Sequence, residues 1–300
     1  MLSILLPIYN YDVRPLVQVL QSQAQHLQVP WEIICLDDAS APAYRDLNRE
    51  IDRLSGVQYE VLSENIGRAR IRNALAQRAR LEYLLFMDCD SGVVNDDFLA
   101  TYGAHLQPNT VLCGGTAYAE NAPSQPELNL HWKYGRRREQ ISADRRRQSP
   151  YQSFKTHHFV VPKPLMLRFP FEERLTQYGH EDTLFGLALE KAHIPIVHLD
   201  NPMLHLGLEP RAIFLEKTKR AIENLVFLQE QGIAIETRLL NVYQGLQRWK
   251  MAALAAWLLK RLNPVLVWLL YRPNPPIRAL DLYKLSYLLQ CAKKNGINEK

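Results

Sequence analysis

Two aspartates one residue apart, Asp88 and Asp90, follow the apolar run Leu84-Leu85-Phe86-Met87. Such a run is a buried strand, so both carboxylates stand at its C-terminal end. Carboxylates at i and i+2 can converge on one hard cation. Mg²⁺ and Mn²⁺ prefer oxygen ligands and share their shells with substrate phosphates. Alone, an Asp-x-Asp pair is a weak signal, because a solvated turn satisfies it equally. A second pair, Glu181-Asp182, stands in Tyr178-Gly179-His180-Glu181-Asp182 before an apolar-faced segment. A helix N-terminus there tolerates negative charge, and a pocketed carboxylate can act as a general base. Two helix-start carboxylates that merely favour the dipole are the plain alternative.

The elements that must position these groups alternate. Ser3–Ile8, Trp31–Leu36, Val57–Leu62 and Tyr83–Met87 read as strands; Arg14–Leu27, Ala43–Leu54 and Gly67–Arg80 read as helices between them. That alternation predicts right-handed βαβ units on a parallel sheet. In open α/β sheets ligands bind beyond the carboxyl ends of the strands. Those ends read Pro7-Ile8-Tyr9-Asn10, Asp37-Asp38-Ala39-Ser40, Ser63-Glu64-Asn65-Ile66-Gly67 and Asp88-Cys89-Asp90. Four polar strand ends in succession make one rim, and the solvated-turn reading of Asp88 and Asp90 weakens accordingly. Further on, Val111–Tyr118, Phe159–Val161 and Pro195–Leu199 read as strands, Tyr178–Ala192 and Arg211–Gln231 as helices, and the remainder as helical.

Composition sets the outer limits. The 300 residues are 47% hydrophobic with a formal charge of +5, which excludes a disordered, collagen-like or disulfide-scaffold chain. Cys35, Cys89, Cys113 and Cys291 include no Cys-x-x-Cys spacing, so no zinc ribbon is expected and a reducing compartment is. The N-terminus has no basic leader before Pro7 and Asn10. The expected location is cytoplasmic, or peripheral on the cytoplasmic face of a membrane. No Gly-x-Gly-x-x-Gly opens the first helix, which disfavours a dehydrogenase.

Taken in order, the motifs resemble family 2 glycosyltransferases of the GT-A fold, of the non-processive bacterial type. Pro7-Ile8-Tyr9-Asn10, Leu36-Asp37-Asp38-Ala39-Ser40, Asn65-Ile66-Gly67 with Arg70, Arg72 and Asn73, Asp88-Cys89-Asp90 and Glu181-Asp182 carry the likeness, over roughly residues 1–210. It implies an α/β fold: a Rossmann-like mixed, mainly parallel sheet flanked by helices, with a C-terminal helical extension. The implied division is 1–117 for nucleotide-sugar binding, 118–210 for the acceptor and catalysis, and 211–300 for the extension.

The resemblance also implies roles. Pro7, Tyr9, Asn10, Asp37, Asp38, Asn65, Gly67, Arg70, Arg72 and Asp88 would bind the donor. Asp38, ahead of Asp37, would accept a hydrogen bond from base or ribose, unless it only caps the next helix. Arg70 and Arg72 would offer cationic hydrogen bonds, unless they are solvated surface arginines. Asp88, Asp90 and His205 would hold Mn²⁺ or Mg²⁺, which stabilises charge on the departing diphosphate. His198 competes with His205, and either can be a structural histidine. Asp182 would be the general base, with Glu181 orienting the acceptor. The implied partners are a nucleoside-diphosphate sugar, a UDP-sugar foremost, and a glycan or lipid-linked acceptor; no nucleic acid is expected.

Two departures from the family pattern carry information. Ala39 replaces a usual glycine. A processive synthase's Gln-x-x-Arg-Trp would need glutamine where Gly245 precedes Arg248-Trp249, so transfer of single sugars is expected. A catalytically silent scaffold and a nucleotidyltransferase are the alternatives, the latter lacking a Gly-rich basic loop after the first strand. Lys133, Arg136–Arg138, Arg145–Arg147 and Lys155 form a basic stretch, read as a solvated face or as a patch for an anionic acceptor. From Met251 to Tyr271 an apolar stretch is interrupted by Lys260, Arg261, Asn263 and Pro264. Two packed helices are expected there, with a peripheral hairpin on a membrane face as the alternative, given Trp249, Trp257 and Trp268.

Overall fold

The computed structural model describes residues 1–174, 179–233 and 235–294. Its chain order is β1 (Leu2–Ile8), α1 (Arg14–Ala24), β2 (Trp31–Asp37), α2 (Pro42–Asn48), β3 (Val57–Val61), α3 (Arg68–Arg78), β4 (Tyr83–Met87), β5 (Ser91–Val93), α4 (Phe98–His105), β6 (Val111–Cys113) and β7 (Thr116–Ala117). Then come α5 (Asn129–Tyr134), α6 (Ala143–Arg147), β8 (His158–Pro162), α7 (Lys163–Arg168), α8 (Glu181–Lys191), β9 (Ile196–His198) and β10 (Met203–His205). Four helices close the described chain: α9 (Arg211–Glu230), α10 (Arg238–Arg248), α11 (Ala252–Leu270) and α12 (Ile277–Lys294).

These elements form two compact units. One comprises 1–119, 138–176 and 181–207; the other 120–137, 177–180 and 208–300. The first holds a seven-stranded sheet ordered β3-β2-β1-β4-β8-β6-β9. β1, β2, β3 and β4 pair in parallel, while β8 runs antiparallel between β4 and β6. The inner parallel strands β1, β2 and β4 are apolar nearly throughout because both sheet faces are covered: every residue of β4 is buried, whereas the edge strand β3 alternates and exposes Gln58 and Glu60. α1 turns Leu16, Val17, Leu20 and Ala24 to one face and buries them against the sheet. This is the mainly parallel α/β fold expected.

Two features of this unit escape the expected pattern. The run 111–118 is not one strand. Gly114 and Gly115 break it, and Gly115 takes φ +98°, so β6 stays in the large sheet while β7 joins a second, three-stranded sheet, β5-β10-β7. β5 and β10 have three residues each, too short for a periodic signal. Yet this small sheet brings Ser91 opposite His205, and so ties the loop after β4 to the chain 114 residues later.

Helix ends also shift. α2 stops at Asn48 and continues as a 3-10 turn, Arg49–Arg53. α8 starts at Glu181; the expected start at Tyr178 lies outside the described residues. The Met251–Tyr271 stretch is a single helix that carries Pro264 inside it, rather than two halves.

Candidate active site

The end of β4 is held from two sides. The Asp88 amide donates to the His157 carbonyl (2.9 Å), and Arg72 Nη2 donates to Asp88 Oδ1 at 2.7 Å. Beyond it, the Leu206 amide donates to the Asp90 carbonyl (2.8 Å). His205 Nδ1 stands 3.9 Å from Asp90 Oδ1. A Cβ on Gly207 would fall 1.8 Å from Asp90 Oδ2, so only glycine lets the chain lie against that carboxylate. Burial pushes the Asp90 carboxyl above its usual range, the charge of Asp88 adds to this, and His205 and Arg68 oppose it. Behind His205 lies His157, whose ring nitrogens are 3.0 Å from Ser91 Oγ and 3.2 Å from Thr116 Oγ1.

The residues fit a hard divalent ion in part. Asp90 and His205 offer oxygen and imidazole ligands side by side, and the crowded negative charge of Asp88 and Asp90 favours a cation. Among the described residues no three His, Cys, Asp or Glu side chains already converge as a cage. Asp88, expected as a ligand, turns one oxygen to Arg72. A two-ligand site completed by diphosphate oxygens and water is the usual arrangement for Mg²⁺ or Mn²⁺ beside a phosphate substrate.

On the donor side, the expected residues come together but hold one another. Asp37 Oδ1 accepts from the Ser40 amide (2.7 Å) and Oδ2 from the Tyr59 hydroxyl (2.8 Å). Asp38 does not cap α2. Its two oxygens accept from the Ile66 and Gly67 amides at 2.7 and 3.0 Å, and Asn65 Nδ2 donates to its carbonyl (3.2 Å). Burial outweighs these bonds and raises the Asp38 carboxyl. Asn10 and Ala39 both take left-handed φ, +50° and +58°. The Asn10 amide donates to Ser40 Oγ and its Oδ1 accepts from the Ala41 amide, each at 2.8 Å. Pro7 is half-buried within β1, and Tyr9 just beyond it is exposed.

The two arginines part company. Arg70 is exposed, with Nε 3.6 Å from Glu173. Arg72 is 2% exposed, which removes the alternative of a solvated surface group. It pairs with Asp88, packs over the Phe171 ring, and its Nη1 is buried without a partner among the described residues. Asn73 clamps the same segment, with Nδ2 on the Phe171 carbonyl (3.0 Å) and Oδ1 on its amide (2.9 Å).

At the start of α8, Asp182 Oδ2 accepts from Lys155 Nζ at 2.6 Å, and Oδ1 accepts from the Thr183 amide at 2.7 Å. Glu181 Oε1 is 3.9 Å from Arg68 Nη1. Arg68 also acts electrostatically on Asp90 and Cys89. One cation at the first position of α3 thus addresses both carboxylate pairs. Arg68 was not singled out from sequence, and Lys155 was named only as one cation of the basic stretch, not as a partner of Asp182. Arg68 follows Gly67 directly, and a cation at the start of a helix that begins on the rim was the available signal. Gly179 and His180 meet α9: a Cβ on Gly179 would lie 2.9 Å from Ala221 Cβ, and His180 Nε2 is 3.0 Å from the Ala221 carbonyl.

The basic stretch is not one solvated face. Arg146 is buried and donates to the Cys113, Gly114 and Leu199 carbonyls at 3.2, 3.0 and 2.8 Å. His198, the rival to His205, is 2.9 Å from Arg146 Nη1 and is equally buried. Both are structural. Lys133 and Arg136 lie in the other unit, where Lys133 bonds Asn274 and Arg136 stacks over Trp132.

With this geometry established, comparison with known proteins decides the family. The model of glycosyl transferase family 2 matches residues 3–175, more than half of the chain. The chain belongs to glycosyl transferase family 2. It is 23% identical over 252 residues to EpsH of Bacillus subtilis (strain 168), whose glycosyltransferase name is provisional, covering 79% of this chain and 71% of that one. Among solved structures, the mannosyltransferase PcManGT of Pyrobaculum calidifontis, in complex with GDP-Man and Mn²⁺, matches all of this chain and 88% of its own. Its TM-score is 0.57 at 15% identity. S. aureus TarS 1-349 in complex with UDP-GlcNAc matches 98% of this chain and 92% of its own, with TM-score 0.50 and 16% identity. Likeness at these identities is one of fold, and the fold is GT-A. The family 2 chain is thus an enzyme that transfers sugars.

Proposed function

We propose that this family 2 enzyme moves a single sugar from a nucleoside-diphosphate donor, a UDP-sugar foremost, to a hydroxyl of a glycan or lipid-linked saccharide, with inversion. The observation that carries the reading is the position of Arg68. It faces Glu181 while its charge reaches Asp90, so the Asp88–Asp90 end of β4 and the Glu181-Asp182 pair border one site. The donors held by the two fold relatives, GDP-Man and UDP-GlcNAc, support the donor class.

The chemistry follows from which groups stand where. Asp90 and His205, with Asp88, would hold Mn²⁺ or Mg²⁺, whose Lewis acidity would stabilise charge on the departing diphosphate. Arg68 adds a second positive charge on the same side, and Arg72 Nη1 is a buried donor that a phosphate oxygen would satisfy. Asp182 takes the proton of the acceptor hydroxyl as its oxygen bonds to the anomeric carbon and the carbon–oxygen bond to the diphosphate breaks. A single displacement from the opposite face inverts the centre. Lys155 and the Thr183 amide fix the direction of the Asp182 carboxylate, which matters because misplacement of a base by about 1 Å costs on the order of 10²-fold. Glu181 orients the acceptor.

The test is Asp182→Asn. Donor affinity, measured by calorimetry with Mn²⁺, is expected to stay within about twofold, while transfer falls by on the order of 10³-fold. Near-parental transfer would remove Asp182 from the mechanism and leave the donor site standing.

A further inference from the structure

The second compact unit carries a surface that sugar transfer does not use. α11 is 19 residues long, about 28 Å at 1.5 Å per residue. Leu259, Leu266 and Leu270 are buried on one side. The opposite side is open and apolar around one central cation, Arg261: Trp257 is 53% exposed and Trp268 59%, with Leu254, Leu258 and Val265 exposed as well. Trp257 and Trp268 are eleven residues apart, three turns on one stripe. Isolated exposed apolar residues are ordinary, but a continuous stripe marks an interaction surface.

Charge identifies the partner. Between Glu236 and Asp281 there is no acidic residue, and there are seven cations: Arg238, Arg248, Lys250, Lys260, Arg261, Arg272 and Arg278. Two of them lie over the tryptophans of the stripe: the Arg261 guanidinium is 4.3 Å from the Trp257 ring centre and that of Arg272 is 5.1 Å from that of Trp268. Tryptophan and arginine in such pairs suit the boundary between lipid headgroups and acyl chains. A second copy of the chain on this face would set like charge against like charge across a two-fold axis.

The helix is apolar and long enough to span a bilayer, but Lys260 and Arg261 fall at its midpoint. A cation at the centre of a spanning helix is costly. Lying in the interface plane leaves both at the headgroups.

We infer that the Trp257–Trp268 face of α11 docks flat on an anionic bilayer surface, with the cations of residues 237–280 engaging lipid phosphates. The inference stands apart from the catalytic reading, because none of these residues belongs to the Asp88–Asp182 site.

The test is co-sedimentation of the full chain with vesicles of phosphatidylcholine alone or with about 30% phosphatidylglycerol, in the style of anionic-leaflet measurements. The protein is expected to pellet with the anionic vesicles, to stay in solution with the neutral ones, and to be released by alkaline carbonate. The double variant W257S/W268S is expected to lose at least about tenfold in bound fraction, with its thermal midpoint and donor turnover unchanged. Four results would each overturn the inference. They are no binding to anionic vesicles, equal binding by the double variant, retention after carbonate, and a parental dimer that the double variant converts to monomer.

Discussion

At the scale of single residues, the site is built from charges that constrain one another. Arg72 is buried while its partner Asp88 is 27% exposed, so removing Arg72 leaves a partly solvated carboxylate uncompensated. Arg72→Met is therefore expected to destabilise the protein by about 1.5–3 kcal/mol, read from the urea midpoint, and to weaken Mn²⁺ binding because Asp88 loses its orientation. A midpoint unchanged from the parent would remove this positioning role. Ala39 holds φ +58°, a conformation that costs an L-residue about 1–2 kcal/mol. Glycine relieves that strain at an entropic cost of about 0.5–1 kcal/mol, so Ala39→Gly is expected to stabilise by about 0.5–1 kcal/mol. Donor affinity should not change, since the peptide path stays the same. The family's usual glycine at this position thus has a physical reason, and this chain tolerates its absence because Asp37 and Asn10 pin the loop on both sides.

At the scale of elements, β8 couples the sheet to pH. His158 in β8 is buried between the Tyr102 hydroxyl (2.8 Å from Nδ1) and the Gly115 carbonyl (2.5 Å from Nε2). The carbonyl can only accept, so Nε2 carries the proton and Nδ1 accepts from tyrosine. Burial depresses the imidazole to about 3, against about 6.5 in an unfolded chain. Between those values the unfolded chain binds a proton that the folded one does not. Stability is therefore complete above about pH 6.5 and falls as pH drops toward 3. Thermal melts of the parent should decline from about pH 6.5 to 5, ahead of most carboxylates, and His158→Gln should flatten that slope. An identical slope in the variant would contradict the assignment.

Elements also show how far the sequence could be read. The strands β1 to β4 and the helices between them were legible because long apolar runs alternate with amphipathic ones, and their polar ends foretold the rim. The three-stranded sheet was not legible. β5, β7 and β10 are two or three residues long and pair across distances no local pattern encodes. His205 was named from family likeness, yet what sets it beside Asp90 is this sheet. Arg146 looked like one more surface cation because burial of an arginine depends on carbonyls supplied by β6 and the turn after β9. Whether Arg72 was a site residue or a solvated one stayed open in the sequence for the same reason: its partner Asp88 lies on another element.

For the whole molecule, the charge distribution matters more than its total. The full chain carries +5, and residues 237–280 carry seven cations without an acid. The other residues therefore bear −2, with Asp88 and Asp90 among them. If the cations of that segment meet lipid phosphates, vesicle binding is expected to weaken steeply as salt rises from about 0.05 to about 0.5 M. Donor binding, which draws on the part-buried carboxylates Asp88 and Asp90 and the buried Arg72, should change far less over the same range. Equal salt dependence of the two would argue that one surface serves both.

The Asp88–Asp90 end of β4, with His205, is proposed as a metal-dependent site for a nucleotide sugar. Its most direct test is donor consumption by the full chain across a panel of nucleotide sugars, with Mn²⁺ and with EDTA, for the parent and for Asp90→Asn. The account predicts turnover of one donor with Mn²⁺, its loss in EDTA, and its loss in folded Asp90→Asn. Turnover that survives both EDTA and the Asp90 substitution, or a folded parent that consumes no nucleotide sugar with Mn²⁺ present, would contradict it.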